Sequence, residues 1–273
     1  MVNPMTIAAR QDEGIRKGIL LGLCLLAITN PVSADVSYVG EARDPDSSAL
    51  LYEEHHLLRE ANGRPSERLV LYRCADGALF ARKQVVYGAA SAAPAFTLED
   101  GRFGYREGAR REDEAITAFF RADADSAERS QRFATKAPLV IDAGFDEFVR
   151  AHWAALQRGT TLAVNFLVPS RLEALRFKLR RSDSGEINGA PVSVFRLSLG
   201  GLIGLFAPEI DVSYRDRDRR LMRFEGLTNI RAERKDNIVA RIDFPPARER
   251  REVGAAQWQA ARTEALTDCH PGD

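Results

Sequence analysis

Residues 50–60 read LLYEEHHLLRE, so Glu53, Glu54, His55 and His56 stand side by side between pairs of leucines. Carboxylates and imidazoles together can pass a proton near neutral pH or hold a divalent metal. On a β-strand, however, side chains alternate between faces. Glu54 and His56 then share one face with Tyr52, and Glu53 and His55 share the other with Leu51 and Leu57. The apparent cluster of four becomes two acid–imidazole pairs on opposite sides. One reading makes Glu54 and His56 acid–base candidates of a hydrolase or isomerase, completed by a group from an adjacent strand. The other makes them charge-balanced polar positions in a strand with one wet face.

No other chemistry competes with this stretch. The chain has no G-x-S-x-G elbow, H-E-x-x-H, C-x-x-C, phosphate loop or dinucleotide fingerprint. Of its four histidines, His55, His56, His152 and His270, only the first two are neighbours, so a His-rich metal site would have to recruit the others from distant segments. No metal and no cofactor is expected. Basic and acidic residues balance at 39 each, which leaves no global field to attract nucleic acid.

The elements that would position such residues begin after an export signal. Arg16 and Lys17 precede the uncharged run Gly18–Ile28, followed by Asn30-Pro31 and the small-x-small sequence Val32-Ser33-Ala34. That is a basic region, a short apolar region and a cleavage motif. The apolar run is shorter than the roughly 20 residues a spanning helix needs. Residues 1–34 are read as a signal peptide, 35–273 as a single β-rich domain, and the location as periplasmic or secreted, with no transmembrane anchor after cleavage. Cys24 leaves with the signal, so Cys74 and Cys269 remain in an oxidising compartment, where they can pair.

Period-two alternation dominates the chain beyond residue 34. Segments 66–74, 78–87, 95–99, 101–107, 161–168, 171–181, 192–199, 209–216, 220–227 and 237–244 read as strands. Asn62-Gly63, Asp76-Gly77, Asp100-Gly101, Asp183-Ser-Gly185, Asn188-Gly189 and 216–218 read as turns between antiparallel neighbours. The charged stretch 106–115 reads as a solvated excursion between strands. The helical spacing of Phe145, Phe148, Val149, Trp153 and Leu156 predicts a helix over 143–158, stopped by Gly159, and 253–266 is a weaker helix. The fold class is mainly β: a long antiparallel meander forming a strongly curved sheet or open barrel around one main helix.

The late strands, Ile210–Tyr214, Arg220–Gly226 and Ile238–Phe244, carry a resemblance. The pattern is similar to the lipoprotein-carrier (LolA/LolB-like) open barrels and to exported envelope proteins of that architecture. The likeness is one of architecture and implies no functional motif. It implies a non-catalytic protein that holds a lipid-like or other apolar ligand, or an envelope partner, on its concave face. Trp153, Phe145 and Phe148 would line that pocket, and Leu202, Leu205 and Phe206, in the uncharged stretch LSLGGLIGLFAP, would form its lip. A structural subunit of an envelope assembly is a further alternative. In segment 171–181, Leu175, Phe177 and Leu179 should pack on the helix. Arg176, Lys178 and Arg180 should then be solvated, or else face a cavity for an acidic headgroup. The exported protein should begin at Asp35, which amino-terminal sequencing of the processed chain checks.

Overall fold

Strand-forming alternation closed by Asn-Gly and Asp-Gly turns lays the chain down as one continuous ladder. The computed structural model describes Met1 and residues 33–112, 115–134, 139–200, 209–233, 236–251 and 253–272. The chain divides into two units, Met1–Pro31 and Val32–Asp273, and every strand and helix named below belongs to the second. In chain order the strands are β1 (Ser33–Arg43), β2 (Leu50–Ala61), β3 (Arg64–Arg73), β4 (Leu79–Val86), β5 (Ala95–Asp100), β6 (Tyr105–Glu112), β7 (Ala115–Arg121), β8 (Arg129–Ala134) and β9 (Leu139–Ile141). Helices α1 (Gly144–Ala151) and α2 (Trp153–Gln157) come next. They are followed by β10 (Leu162–Val168), β11 (Glu173–Ile187), β12 (Ala190–Leu199), β13 (Ile210–Arg215), β14 (Leu221–Arg231), β15 (Asn237–Asp243), the short β16 (Arg250–Arg251) and α3 (Ala255–Thr263).

Among the described residues these strands make one sheet, ordered β8-β7-β6-β5-β4-β3-β2-β1-β15-β14-β13-β12-β11-β10-β9, with β16 beside β1. Neighbours are antiparallel except β9 and β10, which run parallel because the two helices form their crossover. Asn62 and Gly63 both take positive φ in the β2–β3 hairpin, as do Asn188 and Gly189 between β11 and β12. Paired positive φ is the geometry an Asn-Gly turn supplies at little steric cost.

The β9–β10 end of the sheet folds back on the β4–β7 part through loops. The Ile141 N–H donates to the Ala92 carbonyl at 3.0 Å. The Ser170 N–H, in the 3-10 turn Pro169–Arg171 after β10, donates to the Glu107 carboxylate on β6 at 3.1 Å. The curl encloses one large core, built from Tyr52, Val70, Tyr72, Phe80, Leu98 and Ala118 among others. A second core lies where α1 and α2 pack on β9–β13, around Val149, Trp153, Leu156, Val164, Phe195 and Tyr214. On the opposite face of β2–β4, α3 lays Trp258 and Ala261 against Leu57, Leu69, Leu71 and Leu79.

Several elements differ from expectation. The helix over 143–158 is broken at His152, whose φ of −104° and ψ of 11° leave the helical region. Asp183-Ser-Gly185 lies inside β11 at a register shift, so it bends a strand where a turn was expected. Residues 101–104 form a turn, and β6 runs through the charged residues 106–112 in place of a solvated excursion. Strands β1, β7, β8 and β9 add to those that alternation predicts.

Cys74 and Cys269 are joined in a disulfide across 195 residues of sequence. It fastens a carboxyl-terminal strap that also donates the Thr267 N–H to Leu79 O and the Gly272 N–H to Leu51 O. Cross-linking so long a loop restricts the unfolded chain and stabilises by about 2–4 kcal/mol. Replacing both cysteines by serine should lower the unfolding free energy by that amount, read as an earlier urea midpoint with a steeper slope, because the released unfolded chain exposes more surface.

Candidate functional site

In β2 the burial follows the strand alternation: Tyr52, Glu54 and His56 face into the curl, and Glu53, His55 and Leu57 face α3. Each acid meets the imidazole two residues on. His56 Nε2 lies 3.0 Å from Glu54 Oε2 inside, and His55 Nε2 lies 2.7 Å from Glu53 Oε2 outside.

The inner pair is sealed. Glu54 is 9% exposed and His56 6%. The imidazole stacks on Tyr38 of β1, with centroids 4.5 Å apart and planes 9° apart, and meets the edge of Phe244 at 5.7 Å. Gly40 permits that approach, since a Cβ there would lie 2.5 Å from the Phe244 ring. Burial pushes the His56 pKa below the ordinary imidazole value, against the opposing pull of Glu54, so the ring is neutral at pH 7. Its Nδ1, the Arg68 Nε and the Tyr87 hydroxyl have no protein partner among the described residues.

Around this pair sits a buried ionic network that ties α1 to the sheet. Arg68 of β3 donates from both terminal nitrogens to Asp146 Oδ2 at 3.3 Å, and the Tyr214 hydroxyl of β13 donates to Asp146 Oδ1 at 2.7 Å. Burial alone would raise the Asp146 pKa. The Arg68 and Arg150 charges and the Tyr214 hydroxyl outweigh it and hold the carboxyl below its usual range. One turn earlier, Asp142 accepts from Lys83 of β4 at 3.0 Å and from Asn229 of β14 at 3.3 Å. Burial disfavours the charged Lys83, but Asp142 and Glu54 overcome it and leave the amine above its ordinary pKa. Asp146 thus joins β3 and β13 to α1, and Asp142 joins β4 and β14 to the turn before it.

Of the residues predicted to bind ligand, Trp153 is the most enclosed. It packs edge-on to Phe195 at 5.2 Å and to Tyr214 at 6.4 Å, as a core residue. Phe145 and Phe148 are only half-buried. Phe145 faces Phe166 of β10 at 6.2 Å, and Phe166 meets Phe177 of β11 at 6.1 Å. With Leu162 and Ile210 these rings form an incompletely covered apolar shelf on the helix side of the sheet. Leu202, Leu205 and Phe206 lie outside the described residues. Phe166 and Phe177 carry no sequence signal of a binding role, although the alternation of their strands correctly places an apolar face toward the helix.

The outer pair borders a groove of about 250 Å³ between α3 and strands β1–β3, beside Arg73 and Glu264. Arg248 binds Glu53 and holds that carboxyl below its usual range, while burial lowers the His55 pKa. A third grouping, Cys74, Asp76 and Cys269, is no metal set, because both sulfurs belong to the disulfide.

No family model and no curated protein matches this sequence. Among solved structures, the chain is similar to a β-barrel-like protein of a domain of unknown function, DUF1849, from Brucella abortus. The TM-score is 0.46 at 7% identity, over 78% of this chain and 98% of that one. The likeness concerns barrel-like outline, does not single out the lipoprotein carriers, and transfers no residue role.

Glu107 offers a direct test of the interior. It is 4% exposed, and burial, with a smaller push from Asp142, raises its carboxyl from 4.5 to about 7 against Tyr105, Arg231 and Lys83. The native state therefore keeps a proton that the unfolded chain has released. Stability is full below the unfolded value and declines as pH rises toward about 7, by about 3 kcal/mol in total. Glu107→Gln keeps an acceptor for the Ser170 N–H and removes the ionisation. Urea unfolding at about pH 5 and about pH 8 should show a flatter stability profile in the variant, with its gain over the parent confined to the higher pH.

Proposed function

We propose that this protein is an exported, non-catalytic binding module that holds an acyl-like apolar ligand on the shelf formed by Phe145, Phe148, Phe166 and Phe177. The observation that carries the reading is the run of half-covered rings Phe145, Phe166 and Phe177, which meet at 6.2 and 6.1 Å. The middle of the curl is filled, with Tyr52, Tyr72, Phe80 and Leu98 all below 2% exposed. The helix side leaves a run of aromatic rings half-covered. Contiguous apolar surface of that kind marks ligand or partner contact. The sealed polar interior does not suit a lipid, because an acyl chain there would strip the partners from buried charges. The ligand site of the barrel is therefore displaced from its centre to its helix-side rim.

A second reading keeps Glu54 and His56 as an acid–base pair. The contact at 3.0 Å and the neutral imidazole favour it, since a neutral histidine held by a carboxylate can accept a proton. It requires Tyr38 and Phe244 to move aside, because both pack on the imidazole.

Titration of the protein with a dansyl-labelled fatty acid separates the readings. Saturable enhancement is expected, with binding weakened about tenfold or more by Phe166→Ser combined with Phe177→Ser, the loss of apolar contact from two rings. Glu54→Gln and His56→Asn should leave it unchanged. Equal binding by parent and shelf variant would rule out the shelf as the site.

A further inference from the structure

Helix α1 carries a polar group at the end of its half-covered apolar flank. Phe145, Phe148 and His152 follow one another at i, i+3 and i+7, the spacing that lines up one side of a helix. All three are half-buried, whereas Val149 and Trp153 beside them are enclosed and Ala151 and Ala154 are exposed. Phe145 meets Phe166 at one end of this flank. At the other, the His152 ring lies over Phe148 with centroids 4.2 Å apart. The flank is about 10 Å long at the helical rise per residue. The apolar shelf therefore ends on an imidazole.

The hydrogen bonds of His152 decide what that imidazole can offer. Its Nδ1 lies 2.9 Å from the Phe148 carbonyl oxygen, which also accepts the His152 N–H at 3.1 Å. A carbonyl oxygen only accepts, so Nδ1 carries a proton and donates it there. In the neutral ring Nε2 then holds a lone pair, at the edge turned away from that carbonyl. His55 and His56 each bind a carboxylate of β2, whereas His152 has no carboxylate partner among the described residues. Nor does Nε2 belong to the sealed, unpartnered atoms of the interior, which include His56 Nδ1. The protein thus presents a nitrogen of fixed tautomer, open to a ligand, beside a run of apolar rings.

We infer that His152 receives the carboxyl group of a fatty acid whose hydrocarbon tail lies on the shelf. The inference rests on the proposed shelf and names the chemical class of its ligand. One proton held between Nε2 and the carboxyl joins the two, as imidazolium and carboxylate or as imidazole and acid. Charge-assisted bonds of this kind are about twice as strong as neutral ones. A fatty alcohol can donate only a neutral bond to Nε2. An ester, the form of the acyl chain in a membrane lipid, has no proton to donate and carries no charge.

The experiment displaces the dansyl-labelled fatty acid, labelled at its tail, from the full chain at about pH 6, where a proton is available to the pair. The competitors are dodecanoic acid, dodecanol and methyl dodecanoate. The acid should compete about tenfold or more better than the ester, with the alcohol between them. His152→Asn keeps a side-chain donor for the Phe148 carbonyl and lacks Nε2, and His152→Phe keeps a ring over Phe148. In both variants acid and ester should compete alike, with the ester as effective as on the parent. Acid and ester equivalent on the parent, or the acid preference kept by either variant, would overturn the inference and leave the shelf standing. A probe that fails to bind the parent, or parental affinity and acid preference in the Phe166→Ser, Phe177→Ser variant, would remove the shelf and this inference with it.

Discussion

The pairing of two buried carboxylates, Asp146 in α1 and Asp142 in the turn before it, with groups from the sheet is the constraint on which the rest of this structure depends. An antiparallel meander specifies neighbours, but a sheet of this length can curl to many radii. Asp146 reaches Arg68 on β3 and Tyr214 on β13, and Asp142 reaches Lys83 on β4 and Asn229 on β14. Strands far apart in the ladder order are thereby held to one short helix. A buried ion pair adds little net stability, because desolvation offsets most of the attraction. Removing one partner is another matter, since it leaves a buried charge uncompensated at about 3–5 kcal/mol. The network thus selects one curl over its alternatives more than it strengthens the fold.

The same network decides which part of the concave side is available to a ligand. Charges, tyrosines and the Glu54–His56 pair occupy the middle, beneath Tyr38 and Phe244. Toward β10 and β11, Phe145, Phe166 and Phe177 remain half-covered. On the outside, α3 and the disulfide-bound strap cover β2–β4, with Trp258 beneath the Arg59 guanidinium at 4.5 Å. Strand β2 is consequently covered on both faces, sealed at Glu54 and His56 and half-buried at Glu53 and His55.

Much of the meander was legible because Asn-Gly and Asp-Gly turns and period-two alternation are local signals. The split of LLYEEHHLLRE into two pairs and the apolar and basic faces of β11 follow from the same alternation. Strand β7 escaped because AITAFFR is apolar on both faces and shows no alternation, and β8 because it is exposed along nearly its whole length and has no apolar face to betray it. The break at His152 was also invisible, since Phe148, Val149, Trp153 and Leu156 keep helical spacing across it. Asp183-Ser-Gly185 carries turn chemistry, yet cross-strand pairing on β12 absorbs it as a bend in a long strand.

The sequence by itself determined the strand periodicity, the hairpin connections, the amphipathic helix and the presence of Cys74 and Cys269. These depend on residues close together in the chain, whose conformational preferences act without distant partners. Only the tertiary structure decided that Cys74 meets Cys269, that Arg68, Lys83, Asp142 and Asp146 join into one network, and that Glu54 and His56 lie sealed while Phe166 and Phe177 stay half-open. Each of those outcomes is set by how tightly a long sheet curls around a short helix, and that curvature is a property of many weak contacts between residues far apart in the chain.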